Sequence, residues 1–138
     1  MARGVPSTAE LVDALGTFLE QDVMPGTEGR LSFMARVAAN VAATVEREIV
    51  LGPAQARGHA DRLAALGFRD DDELAQAIRA GELDDRLEEV VEVTRRNVVE
   101  RLGLWNPRYV EPEDAGLILQ MPARDPGAPE SNTPGKGR

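Results

Sequence analysis

Residues Arg30 to Leu51, RLSFMARVAANVAATVEREIVL, constrain the fold of this chain more than any other stretch. Leu31, Met34, Val37, Ala38, Val41, Val45 and Ile49 recur at three- and four-residue steps, the spacing of one face of an α-helix. Ala35, Ala39, Ala42 and Ala43 make a second face of small side chains, against which a neighbouring helix can approach to about 8 Å. Between them runs a narrow polar stripe of Arg36, Asn40 and Arg47. A helix apolar around most of its girth belongs at the centre of a bundle. At a rise of about 1.5 Å per residue it would be roughly 33 Å long, the width of a small domain.

The flanking sequence supplies the other helices of an all-α, five-helix bundle with this second helix at its centre. Residues 1–6 are expected to be loose. Ser7-Thr8-Ala9-Glu10 has the form of a capping box, opening a helix with Leu11, Val12, Leu15, Phe18, Leu19 and Val23 inward and Pro25-Gly26 at its end. Gly16 in its middle suits close packing on the alanine face. Thr27 is the expected N-cap of the central helix, which Gly52-Pro53 should end. A third helix is expected from Pro53 to Leu66, with Ala56, Ala60, Leu63 and Leu66 inward. Asp70-Asp71-Asp72 caps a short fourth helix carrying Leu74, Ala77 and Ile78, which Gly81 stops. The fifth runs from about Asp84 to Leu104, with Leu87, Val90, Val91, Thr94, Val98, Leu102 and Trp105 inward and Glu92–Arg96 as an i,i+4 pair. The bundle domain therefore spans 7–109. Residues 110–138 read as an irregular, proline- and glycine-rich tail, mostly disordered after 121. One apolar patch, Ala115 to Met121, either folds back on the bundle or docks on another chain.

Composition removes several functions. A net charge of −8 and a pI near 4.7 argue against tracking nucleic-acid phosphates or an anionic membrane surface. With no cysteine there is no thiol nucleophile, disulfide or cysteine-held zinc, and a reducing, cytoplasmic setting fits. The N-terminus has no apolar signal core, and no apolar run reaches the ~18 residues of a membrane span. His59 is the only histidine, so neither a two-histidine metal site nor a paired Glu-x-x-His centre can be built, and it is expected at the surface or boundary. Phosphate-binding glycine loops and a G-x-S-x-G elbow are both missing from the sequence. No catalytic set, metal site or cofactor is expected, and enzyme activity is the least favoured reading.

What remains is the polar stripe. Arg36, Asn40 and Arg47 either pair with internal acids or bind an acidic ligand, since a guanidinium fork suits carboxylate and phosphate. The internal reading is preferred, because acids outnumber bases 24 to 16. Glu46, Glu48, Arg95 and Asn97 are the candidate members of such a structural polar network. Glu48 is the oddest, falling on the apolar side of the central helix.

The segments PSTAELVDALGTFLEQDV, RLSFMARVAANVAATVEREIVLG and AIRAGELDD, with the terminal Asn106-Pro107-Arg108-Tyr109, resemble a bacterial family of unknown function over roughly residues 6–109. Arg36, Asn40, Glu46, Arg47 and Asn106 to Tyr109 carry the match. Members of that family are encoded beside, or fused to, aminoglycoside-phosphotransferase-like kinases and acyl-CoA dehydrogenases. The resemblance implies a non-catalytic accessory or protein-interaction module working with such a kinase or dehydrogenase. The alternative is a small-molecule domain taking an acyl-CoA or a phosphorylated or acidic metabolite through Arg36, Asn40 and Arg47. A homodimer is compatible with either.

Overall fold

A computed structural model describes residues 4–122; the disorder expected beyond 121 falls almost entirely outside the described residues. Helix α1 (Thr8–Phe18) opens on the expected capping box: the Ser7 hydroxyl accepts from the Glu10 amide at 3.2 Å, and the Glu10 carboxylate accepts from the Ser7 amide at 2.6 Å. The chain continues through a π-helical turn, Leu19–Val23, into a last helical turn, Met24–Gly26. Two hydroxyls satisfy carbonyls at that end, Thr27 donating to Val23 at 2.5 Å and Ser32 to Met24 at 2.8 Å. Thr27 is thus used to close the first helix. The N-cap of the next is Glu28.

Helix α2 (Gly29–Leu66) is one bent rod of 38 residues. It replaces the second and third helices expected from the sequence, so the described residues hold four helices where five were expected. Pro53 lies inside it. Proline has no amide to offer the Ile49 carbonyl and its ring crowds that position, which bends a helix without always ending it. The true stop is Gly67, at φ 98°, where the amides of Gly67 and Phe68 turn back to the carbonyls of Ala64 and Leu63 at 3.0 Å each. Helix α3 (Asp71–Arg79) is capped by the Asp70 carboxylate on the Glu73 amide at 2.9 Å and closes the same way at Gly81, φ 74°. Helix α4 (Leu87–Trp105) follows, then two 3-10 turns, Pro107–Tyr109 and Pro112–Leu117.

The core lies at one end of the molecule. Leu63 and Leu66 of α2, Leu74 and Ala77 of α3, Leu83 of the connection and Val90 of α4 form it, with Phe68 and Val93 packed on its edge. The first half of α2 is therefore not the wrapped centre anticipated from its composition. Only Ala35 is buried there, while Leu31, Met34, Val37, Val41 and Val45 face solvent. The physical reason is on the small face. Helix α1 packs on the alanines, with Gly16 placed so that a Cβ would sit 3.5 Å from that of Ala42. The Gly16–Ala42 and Ser32–Met24 contacts put α1 antiparallel to α2. Two helices alone cover one side of a rod, and the alanine side allows the closer approach.

Helix α4 is likewise turned from the expected orientation. Val90, Val99, Glu100 and Leu104 are buried, whereas Leu87, Val91, Val98 and Trp105 are exposed. The tail returns to it. Asp114 is buried and accepts from Arg95 at 2.5 Å, and Ile118 lies where a Cβ on Gly103 would come within 2.8 Å of its Cγ2.

Candidate functional site

Three concavities meet along α2. An apolar groove of about 470 Å³ is lined by Val37, Val41, Val45 and Ile49 of α2 and the Trp105 ring, with Asn40, Thr44 and Glu48 at its rim. Beyond the indole lies a polar hollow of about 450 Å³, lined by Asn40, Ala43, Thr44, Arg47, Trp105, Asn106, Pro107 and Arg108. This hollow joins two groups that are far apart in sequence: Asn40 and Arg47 from the stripe, and Asn106 to Arg108 from the end of the matched region.

Arg47 explains how they come together. Its Nε–H donates to the Leu104 carbonyl at 2.7 Å and an Nη2–H to the Thr44 hydroxyl at 3.2 Å. The last carbonyls of a helix lack partners and carry partial negative charge, so a guanidinium there both bonds and neutralises them. Arg47 thus ties the C-terminus of α4 to the middle of α2. Its partners are a carbonyl and a hydroxyl where carboxylates were expected. Arg36 is exposed and lines none of the three concavities, so the hollow brings together Asn40 and Arg47 without it.

The proposed polar network is also dispersed. Arg95 pairs with Asp114, Asn97 and Glu48 line the third concavity, and Glu46 is half-buried on α2. Arg96 turns from Glu92 to Glu100, which its Nε reaches at 3.4 Å. The true internal network centres on Glu100, a residue the sequence reading left out. Glu100 is 5 % exposed. Its carboxylate accepts from Arg62 at 2.9 Å as well as from Arg96, while its backbone carbonyl accepts from the buried Gln55 amide at 3.0 Å. A buried carboxylate needs such partners, since desolvating an unpaired charge costs several kcal/mol. Its only sequence signature was a position one residue after Val99 and one helical turn before Leu104, and that pattern alone does not mark burial.

The third concavity, of about 770 Å³, opens between the second half of α2, the start of α3 and the end of α4. His59, Gln55, Asn97, Arg101, Arg69, Asp70 and Asp71 line it with Glu48. His59 Nε2 meets the Asp71 carboxylate at 2.7 Å, the contact of an imidazole N–H donating to an acceptor-only group. Its Nδ1 is buried with no partner among the described residues. Arg69 is committed to Glu73 through both its backbone amide and its guanidinium. That guanidinium is the main reason the Glu73 carboxyl titrates below its ordinary range. Arg69 and Asp71 are engaged with Glu73 and His59, Asp70 caps α3, and Arg101 and Glu48 add one charge of each sign, so the concavity presents no single-signed cradle.

Among the described residues no helix is long and apolar enough to cross a membrane. No curated protein and no solved structure matches the chain. Residues 25–109 do match a family described as a domain of unknown function, DUF6285. The matched span begins in the Met24–Gly26 turn, after α1 and the PSTAELVDALGTFLEQDV segment, and runs through α2, α3 and α4 to Tyr109, so it takes in Arg47, the Glu100 network and the Asn106–Tyr109 turn; the chain belongs to that family.

Proposed function

We propose that the chain is a non-catalytic helical interaction module that docks on a larger enzyme, of the phosphotransferase-like kinase or acyl-CoA dehydrogenase kind. The observation that carries the reading is the outer row of α4. Leu87, Val91, Val98 and Trp105 recur at four- and seven-residue steps, each more than half exposed. Such a row on one side of a helix is what a partner's groove or helix takes up. The resemblance to a family encoded beside or fused to those enzymes supports the choice of partner class. Capture with the tagged full chain at native concentration tests it. An enzyme of either class should be recovered with the wild type and lost with Val91→Lys/Val98→Lys, which touches no buried residue. Equal recovery with that variant, or recovery of neither class, refutes the reading.

A second reading rests on the polar hollow, where Asn40, Arg47, Asn106 and Arg108 converge beside Trp105. That set suits an acyl-CoA phosphate or another acidic metabolite. Ligand bound to the folded state raises the melting temperature with concentration. A thermal-shift series of acyl-CoAs and phosphorylated metabolites should raise it, and Asn40→Ala/Arg108→Ala should cancel the rise. A flat series removes this reading.

A further inference from the structure

We infer that the open face of the α1–α2 pair is the seat of a second copy of this chain, packed about a two-fold axis as a four-helix assembly. This surface adjoins the outer row of α4 at Trp105, whose ring lines the groove beside Val37, Val41 and Val45, but the inference does not rest on the reading above. Two rows of apolar side chains form it. On α2 they are Met34, Val37, Val41 and Val45; on α1 they are Leu11, Leu15 and Phe18. Each row sits about a third of a turn from the α1–α2 contact and in the same rotational sense, so in an antiparallel pair both fall on one side of it. With Leu31 the two rows expose on the order of 700 Å² per copy, close to the roughly 800 Å² per partner of a standard stable interface.

The charges at the ends of the α2 row identify the occupant. Arg30 precedes the row and Glu48 follows it, both exposed. They are separated by five helical turns at about 3.6 residues per turn, and so stand on the same meridian as the apolar residues between them. They also lie at equal distances along the helix from position 39, the midpoint between Val37 and Val41. When a second α2 packs antiparallel about that midpoint, Val37 meets Val41, and Arg30 of each copy meets Glu48 of the other. A two-fold interface needs a patch complementary to itself, and this one is apolar in the centre with opposite charges at matched ends. An unrelated partner places no such demand on Arg30 and Glu48. Helix α1, alongside the middle of α2, then faces the partner's α1 across the same axis, where its own row is covered.

Light scattering and sedimentation equilibrium of the full chain provide the test. A mass of twice 14.9 kDa is expected at micromolar concentration. Val41→Glu, at an exposed position beside the axis, should leave the circular dichroism unchanged and give a monomer. Arg30→Glu and Glu48→Arg each set like charges against one another twice and should weaken association about tenfold. The double variant Arg30→Glu/Glu48→Arg restores opposite charges across the axis and should recover most of the loss. A chain monomeric at 100 µM (~1.5 mg/ml at this mass) overturns the inference. So does a dimer indifferent to Val41→Glu, or single charge variants that the double does not rescue. Capture of a kinase or dehydrogenase by a monomeric wild type would overturn the dimer while leaving the α4 reading intact.

Discussion

Removing the Glu100 carboxylate is the perturbation whose cost the structure defines best. Its side chain is 7 % exposed and holds Arg62 and Arg96, whose side chains are 21 % and 41 % exposed. Truncating one member of a fully buried pair costs about 3–5 kcal/mol, because the remaining charge is stranded. Arg62 can still reach water at part of its surface and Arg96 at much more, so Glu100→Ala should cost about 2–3 kcal/mol. For a domain of this size that lowers the melting temperature by about 8–12 °C. Urea denaturation followed by far-ultraviolet circular dichroism reads the change as a shifted midpoint at constant slope. Glu100→Gln keeps an acceptor and should cost less than Glu100→Ala. Arg62→Met/Glu100→Leu removes the stranded charge along with the carboxylate, so it should cost less than the sum of its singles. A loss under 0.5 kcal/mol for Glu100→Ala, or additive singles, would refute the claim that this carboxylate organises the α2–α4 contact.

Three further outcomes follow from local geometry. Gly16→Ala places its Cβ at an ordinary 3.5 Å from that of Ala42, so the helical gain of about 0.5–1 kcal/mol should appear as a raised urea midpoint; a lowered one means that α1 and α2 are closer than this contact allows. Gly103→Ala instead drives a Cβ to 2.8 Å from Ile118, so it should expose the returning tail, read as faster hydrogen exchange at Ile118 and Leu119 with α4 protected as before. The Glu10, Glu73 and Glu89 carboxyls are held below their ordinary 4.5, chiefly by the Ser7 amide, the Arg69 guanidinium and the Arg86 guanidinium respectively. A depressed carboxyl stabilises fully above its unfolded pKa, and that contribution is lost as pH falls through the folded value. Stability should therefore decline as pH falls below about 4.5, and Glu10→Gln/Glu73→Gln/Glu89→Gln should flatten the decline, as measured by urea midpoints from pH 6 to 3.

Local chemistry was legible from the residues alone. The Ser7–Glu10 box, the Asp70 cap and the Gly67 and Gly81 stops act within a few residues of themselves, so their outcome depends on little else. Gly16 on the alanine face was legible for a related reason: two small surfaces can approach most closely, and only one pairing offered both. The polar hollow was half visible. Asn40 and Arg47 stood out on their helix, but that Asn106 and Arg108 would join them depended on where α4 ends against α2.

Everything that rested on which elements meet was decided by the tertiary structure. A Gly-Pro pair reads as a helix end, yet at Pro53 the lost amide costs one hydrogen bond, and packing of both halves of α2 carries the rod through it. Apolar periodicity says that a face seeks cover, without saying whether the cover is in the same chain. For Met34, Val37, Val41 and Val45, and for Leu87, Val91, Val98 and Trp105, the described residues leave much of the side chain exposed. Conversely, Glu100 went inward because Arg62 and Gln55, about 40 residues earlier in the chain, arrive to meet its charge and its carbonyl. Residue order alone marked the capping box, the Asp70 cap, the glycine stops and the close-packing small face, while it misplaced a break at Pro53 and a cap at Thr27. Which faces remained in water depended on the arrangement of the helices, because burial is a property of pairs of surfaces and each stretch of sequence describes only one.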